Sequence, residues 1–347
     1  MDFKGFEERK QDHLRLALKA EHEALGENGL DAIQPIHEAL PEINFKDLNT
    51  KTKFWNYEAA SPCFISSMTA GHQDGVQLNL RLAKVAQAKR WPMGLGSQRR
   101  ELADPSAKEE WKKIRDVAPE AFLFSNLGIT QLIETPTKNV LFLLETLRAG
   151  ALIIHTNPLQ ESLQKEGTPN FAGGLKALEK IVKESPVPVI LKETGCGFSQ
   201  QSIRRLVNIG IAAIDVSGYG GTHWGRIEGE RAGAKSLQAQ ASETFARWGI
   251  STRDSLLHAK AIQQEYTANF EIWASGGIRS GLEAAKCIAV GANKIGFAKP
   301  ALEAVQKSED DLFRWMQRIE FEMQVALFCT GSESPEQLRE GKKWQKI

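Results

Sequence analysis

Behind the apolar run Ala151-Leu152-Ile153-Ile154, the chain places His155, Asn157, Gln160, Glu161 and Glu166 in quick succession. Pro158 ends any hydrogen-bonding ladder there. An imidazole, two amides and two carboxylates are more than one strand end needs for capping. Two other stretches carry chemistry. "ASGGIRSGLEAAK" (274–286) sets two glycines and an arginine between a strand-like run and a helical one, and "IGFAKPAL" (295–302) brings a second turn of the same kind. Backbone N–H groups and a helix N-terminus at such turns hold phosphate, and glycine lets the backbone come close. Two tight turns without a ligand are the plainer alternative.

The elements that must position these groups recur at a steady interval. Apolar runs read as strands near 63–68, 91–97, 121–127, 151–157, 187–193, 211–218, 271–277 and 293–298. Between several of them lie helical patterns with one apolar stripe, such as "GGLKALEKIVKES". Eight strands alternating with helices is the sequence form of a (β/α)8 TIM barrel, favoured here over an open doubly wound sheet. A single domain spans 1–347: an N-terminal extension (1–60) with a helix near 7–25, the barrel (61–308) with a long insertion after strand six (218–250), and C-terminal helices with an exposed charged tail (309–347).

A barrel gathers its active groups at the C-terminal strand ends. Those ends here are Met68-Thr69, Ser97-Gln98-Arg99, Asn126, His155 to Glu161, Lys192-Glu193, Asp215 to Ser217, Ser275-Gly276-Gly277 and Ala298-Lys299. With a phosphate at the last two, the others suit a flavin ring. Lys192 would set a positive charge near the N1–C2=O edge, and Asn126 and Thr69 would meet the ring edge. A strand-end ion pair with Glu193 or Asp215 is the other reading of Lys192. The glycine-rich stretch 215–231 lacks the helix that a dinucleotide fingerprint needs directly after it. It reads as a flexible cover over the mouth, with Ser217 and Thr222 reaching a phosphate.

The chain has 347 residues and a formal net charge of +1, so nothing in the charge balance points to a polyanion as the main partner, while a small anionic ligand needs only local charge. No signal core or membrane-length apolar stretch is visible, so neither nucleic acid nor membrane is an expected partner. Cys63, Cys196, Cys287 and Cys329 form neither a zinc pattern nor a disulfide framework, and a cytoplasmic location with reduced thiols is expected.

In order along residues 9–300, "RKQDH" (9–13), "SSMTAG" (66–71), "GSQR" (96–99), "SNLG" (125–128), "HTNPLQE" (155–161), "KETGCG" (192–197), "DVSGYGGTHWGRIE" (215–228) and "SGGIRSG" (275–281) resemble the type II, FMN-dependent isopentenyl-diphosphate isomerases. The His-x-Asn-x-x-Gln-Glu run together with the Arg9-Lys10 pair is the specific part. Ala70 stands where the family usually has glycine, and Thr168 where it tends to have aspartate. The resemblance implies FMN contacts from Ser67, Met68, Thr69, Ser97, Asn126, Lys192, Ser217 and Thr222, with its phosphate against Gly276, Gly277, Arg279, Ala298 and Lys299. It implies a substrate diphosphate held by Arg9, Lys10, Arg99 and Asn157, with His13 and His155. Gln160 would lie near the isoprenoid carbons, Gln160 and His155 would be the catalytic pair, and Glu161 would hold Mg2+.

The implied reaction is a double-bond shift between isopentenyl and dimethylallyl diphosphate in isoprenoid biosynthesis. It would need FMN reduced by NADPH yet consume no electrons. Without the resemblance, Arg9-Lys10 reads as two bases on a solvated helix face, and Glu161 as an acid favoured by a helix N-terminus. A homo-oligomer, a tetramer or larger, is implied by the resemblance and by the aromatic residues Trp224, Phe245 and Trp248 of the insertion. Two rivals stand beside this reading. One is an FMN-dependent oxidoreductase such as a 2-hydroxy-acid oxidase, which would need a His-Gly-x-Arg arrangement absent from "SGYGGTHW". The other is a flavin- or phosphate-binding barrel without catalysis.

Overall fold

A computed structural model of the chain describes residues 3–68 and 73–347. Its centre is a closed barrel of eight strands: β1 (Cys63–Ile65), β2 (Met93–Gly94), β3 (Leu123–Gly128), β4 (Ala151–Thr156), β5 (Val189–Glu193), β6 (Ala213–Asp215), β7 (Glu271–Ala274) and β8 (Lys294–Phe297). Each pairs in parallel with its successor, and β8 closes on β1 with Ile295 opposite Cys63. The apolar runs were continuous because both faces of these strands are covered. The expected (β/α)8 architecture is the one found.

Alternate residues of a strand share a face. Phe64, Phe124, Ile153, Ile190, Ala213 and Trp273 form one buried cluster inside the barrel, closed by Phe54 of the hairpin Thr52–Phe54 with Tyr57–Ala59. Two residues further along the same faces stand Asn126, His155, Lys192, Asp215 and Ser275. The interior therefore turns from aromatic to polar along the axis, and the polar end is the C-terminal mouth.

Two segments outside the barrel differ from expectation, and a third is more ordered than its sequence shows. The N-terminal helix covers Phe3–Ala17 and not 7–25. It puts Arg9, His13 and Leu16 on one buried face, at helical spacing over the mouth. Arg9 is only 5% exposed, so the reading of a solvated pair fails for it: the barrel mouth beneath supplies a partner surface that the helix pattern cannot show.

The insertion is not a flexible cover. It folds as helices Trp224–Ala232 and Leu237–Thr244, with His223 Nδ1 accepting from Arg226 N at 3.2 Å to cap the first. Its glycines serve close packing: a Cβ on Gly229 would collide with Ser242, and one on Gly225 would crowd Leu159 and Leu163. The charged tail is exposed, as expected, but it is also paired. After helices Glu309–Cys329 and Pro335–Glu340, Trp344–Lys346 pairs antiparallel with Ile33–Pro35. Among the described residues no helix is long and apolar enough to cross a membrane.

Candidate active site

The mouth opens into a cavity of about 720 Å³, roofed by the N-terminal helix and floored by the polar ends of the strands. Arg9, Lys10, His13 and Arg99 all line it. Arg99 arrives on the short helical turn Gln98–Arg100, which buried Gln98 pins through its Nε2 to the Leu143 carbonyl at 3.3 Å. Burial first, then the charge of Arg99, brings the Arg9 guanidinium down to about 10. Burial and the charges of Arg9 and Arg99 bring the Lys10 ammonium down to about 7. Cations packed this closely, at a cost, make an anion site.

Opposite them, the strand-four cluster is held rigidly. Gln160 donates from Nε2 to Glu228 Oε1 at 2.9 Å and accepts from Asn157 Nδ2 at 3.0 Å. Its amide is therefore fixed at both ends. Glu161 sits in the first turn of the helix Pro158–Leu163, where either expected role would place it. It is buried, accepts from Asn157 Nδ2 at 3.3 Å, and accepts from Thr168 N at 2.7 Å. Thr168, the departure from the family pattern, thus acts through its backbone. Glu166 is peripheral and pairs with Arg231 at 3.2 Å.

Glu228 is the residue that sequence reasoning missed. It is buried and receives His13 Nε2 at 2.7 Å, Gln160 Nε2 at 2.9 Å and Arg231 Nη1 at 2.5 Å. In the amide orientation its neighbours select, Gln164 adds a fourth bond at 3.1 Å and accepts from Arg9 Nη1 at 3.2 Å. Burial pushes this carboxyl up, but His13 and Arg231 outweigh it and hold it well below the usual carboxylate range. Glu228 stays ionised, and the roof helix is tied through it to Gln160. Trp224, expected on the surface, instead lines the cavity with its ring 5.2 Å from that of His13. Phe245 and Trp248 are exposed as expected.

His155 has its tautomer set from behind. Asn126 donates from Nδ2 to the Leu95 carbonyl at 3.0 Å, which turns its Oδ1 toward His155 Nδ1 at 2.8 Å. Nδ1 therefore carries the proton and Nε2 is an acceptor. Burial, then the charges of Lys10, Lys192 and Arg99, lower the imidazole to about 3, so it stays neutral. Donation from Nε2 to a diphosphate would require uptake of a proton.

The residues expected around a ring fit a flat ligand with polar edges. Ser67 and Ser97 line the cavity, and their buried hydroxyls have no hydrogen-bond partner among the described residues. Met68 and Asn126 line it as well, whereas Thr69 lies outside the described residues. Buried hydroxyls normally find partners, so these await one. Lys192 Nζ lies 3.2 Å from Asp215 Oδ2 and donates to Ser275 Oγ at 3.1 Å, so the ion-pair reading with Asp215 also holds. Beside it, Glu193 accepts from the N–H groups of Thr194 (2.7 Å) and Gly197 (3.1 Å), holding that loop against Ser217. Ser217, at φ +35°, carries backbone strain at the mouth.

The end where the motifs imply a phosphate is more closed than they suggest. Gly276 (φ +100°) and Gly277 (φ +71°) are required because a Cβ on either would strike the backbone of Gly218 or Gly220. The N–H of Arg279 is committed to Glu283 at 2.7 Å and that of Gly281 to Glu322 at 2.7 Å, so the helix after β7 offers little. The helix Lys299–Lys307 after β8 does border the cavity through Ala298, Lys299 and Pro300. Thr222 and Ser217 line the same end.

An isopentenyl-diphosphate delta-isomerase of Bdellovibrio bacteriovorus is 48% identical over 341 residues, covering 97% of each chain. One of Legionella pneumophila (strain Lens) is 49% identical over 339 residues, covering 98% of each. The chain belongs to the isopentenyl-diphosphate delta-isomerase family. Residues 133–345 also match the FMN-dependent dehydrogenase family, which places this isomerase family chain among FMN barrels. Solved structures that share the fold include a flavocytochrome b2 variant with sulfite bound (16% identity, TM-score 0.69, 95% of this chain and 81% of that one). A mandelate oxidase with (S)-2-phenylpropionate is similar (18% identity, TM-score 0.64, 98% of this chain and 97% of that one). These last two speak for the fold alone. Within the isomerase family pattern, Glu228 closed the quoted stretch 215–228, and that was the one signal that marked it.

Proposed function

We propose that the chain interconverts isopentenyl diphosphate and dimethylallyl diphosphate, with FMN in the barrel mouth, Mg2+ on the diphosphate and NADPH as reductant. The observation that carries the reading is the cluster of Arg9, Lys10 and His13 of the roof helix with Arg99 of the turn after β2, lining one cavity with the neutral amides of Asn157 and Gln160. The roof supplies charge for a diphosphate, Arg by its fork and Lys as a point charge. Glu161, with the diphosphate oxygens and water, suits Mg2+, a hard cation that takes few protein ligands.

Gln160, clamped between Asn157 and Glu228, presents a neutral polar group beside the reacting carbons. A carboxylate there would risk capturing a cation. Lys192 stands where it would face the negative edge of a reduced flavin. Reduced FMN, when bound, supplies an electron-rich face and a proton-carrying nitrogen for the double-bond shift. The chain's task is to hold the diphosphate so that the alkene lies over that face, and to keep water out with the helical roof. Isomers differ by no electrons, so the reductant serves to prepare the site and is not consumed.

The oxidase alternative has less support. The cavity-lining histidines are His13 and His155, while His223 is spent on capping a helix. The reading includes a homo-oligomer, supported by exposed Leu237, Phe245 and Trp248, and a cytoplasmic setting, supported by four free cysteines. The deciding experiment is anaerobic proton NMR of isopentenyl diphosphate with the protein, Mg2+ and a limiting amount of NADPH. Many turnovers per reducing equivalent are expected. A one-to-one ratio would return the oxidoreductase to first place, and a yellow protein without turnover would leave a binding barrel.

A further inference from the structure

We propose that Glu23 guards the phosphate end of the cavity: its carboxylate holds Arg279 and Lys299 until the phosphate of the cofactor takes them over. The proposal rests on the FMN reading above. Glu23 lines the cavity at the end bordered by Gly276, Gly277 and Ala298. Its Oε1 lies 2.7 Å from Lys299 Nζ and its Oε2 lies 2.7 Å from Arg279 Nη2. One oxygen per cation is the arrangement that two oxygens of a phosphate would adopt between the same donors. Burial raises the carboxyl, but the hydrogen bonds from Lys299 and Arg279 more than reverse this, so Glu23 is charged where a phosphate would be.

Three observations separate a guard from a plain surface ion pair. First, two N–H groups of the turn and helix after β7 are spent, since Arg279 N and Gly281 N are bound to Glu283 and Glu322. The charged donors at this end are the side chains of Arg279 and Lys299, and both are held by Glu23. Second, the backbone of Glu23 is fastened independently of its side chain. It bridges Thr222, donates to Ala20 O at 3.0 Å, and accepts from Arg226 Nη1 at 2.9 Å. The side chain can turn away while the segment stays docked. Third, Lys299 also donates to the carbonyl of Lys19 at 3.3 Å, so it stays in place when the carboxylate leaves. A carboxylate and a phosphate on one pair of cations repel each other, so their occupancy is an exchange.

The test uses the full-length protein stripped of flavin and titrated with FMN and with riboflavin, which lacks the phosphate, following quenching of flavin fluorescence. Glu23→Gln keeps the shape and removes the charge. It should tighten FMN by about three- to tenfold, as expected for partly exposed pairs, and leave riboflavin unchanged. Inorganic phosphate should raise the melting temperature of this variant more than that of the parent. Weaker FMN binding, or an equal change for both flavins, would overturn the guard. Arg279→Gln and Lys299→Gln serve as the control on the underlying reading. If both weaken FMN but not riboflavin while Glu23→Gln has no effect, the guard alone fails. If neither cation matters to FMN, the phosphate is elsewhere and both readings fail.

Discussion

Two groups of cations lie at the two ends of one cavity, and they are treated differently. At the phosphate end, Arg279 and Lys299 share a carboxylate of their own chain. Between roof and strand ends, Arg9 and Lys10 meet Arg99 in a buried setting that lowers Arg9 to about 10 and Lys10 to about 7. Glu228, nearest in role to a counter-ion there, is already engaged by His13, Gln160 and Arg231. On the function proposed above, the contrast would separate a ligand that is loaded once from one captured at every turnover. A closed end suits a resident group, and an end crowded with like charges suits a substrate that must arrive, react and leave.

The strongest way to break the comparison is to empty the roof. Arg9→Ala with Lys10→Ala should lower kcat/KM by about a thousandfold, as expected for two buried charge-assisted contacts. The flavin absorbance of the purified protein should be unchanged. Loss of the yellow colour together with activity would show that the two ends are not separable. Next in size is Glu228→Gln, which should cut kcat about a hundredfold, since it frees the Gln160 amide, and should destabilise the fold by about 3 kcal/mol because Arg231 loses its buried partner.

Its pH signature has a definite sign. Glu228 has a depressed folded value, so its stabilisation is present above the ordinary carboxylate range and is lost as pH falls toward the folded one. Acid denaturation monitored by circular dichroism should therefore begin at higher pH in the parent, relative to its own neutral stability, than in Glu228→Gln. Glu161→Gln should raise the half-saturating Mg2+ concentration about tenfold with flavin binding intact. An unchanged Mg2+ titration would remove Glu161 as the ligand.

The smallest effect sharpens the comparison most. A diphosphate prefers charged Lys10. Below pH 7 that charge is present in the empty site, and as pH climbs through 7 the site loses its proton and binding must restore it. Affinity for inorganic pyrophosphate should then fall by up to about tenfold per unit above pH 7, beyond any change in pyrophosphate itself. Lys10→Arg, which stays charged, should lack that extra slope in calorimetric titrations.

How much of this was legible depended on whether the signal was local. The strand runs were readable because burial on both faces removes polar alternation, and the period-two placement of Asn126, His155 and Lys192 followed from the same runs. Glu228 was not singled out, because within "WGRIEGER" it looks like any charged residue on a helix, and its burial comes from helices that lie far away in sequence. The pairing of Ile33–Pro35 with Trp344–Lys346 was equally invisible, because strand pairing across more than three hundred residues leaves no trace in either segment alone. The glycines of the insertion misled, since a missing Cβ signals flexibility and close packing alike.

The fastening of residues 22–24 against the loop after β6 has one further consequence. His223 N bonds the carbonyl of His22 and Ala24 N bonds that of Gly221, both at 2.8 Å, directly behind the end of the roof helix at Ala17. The helix is thus a tethered ligand of its own barrel. A short tether sets an effective concentration on the order of millimolar. The link therefore adds to the buried contacts of Arg9, His13 and Leu16, and no single one of them has to hold the roof helix by itself.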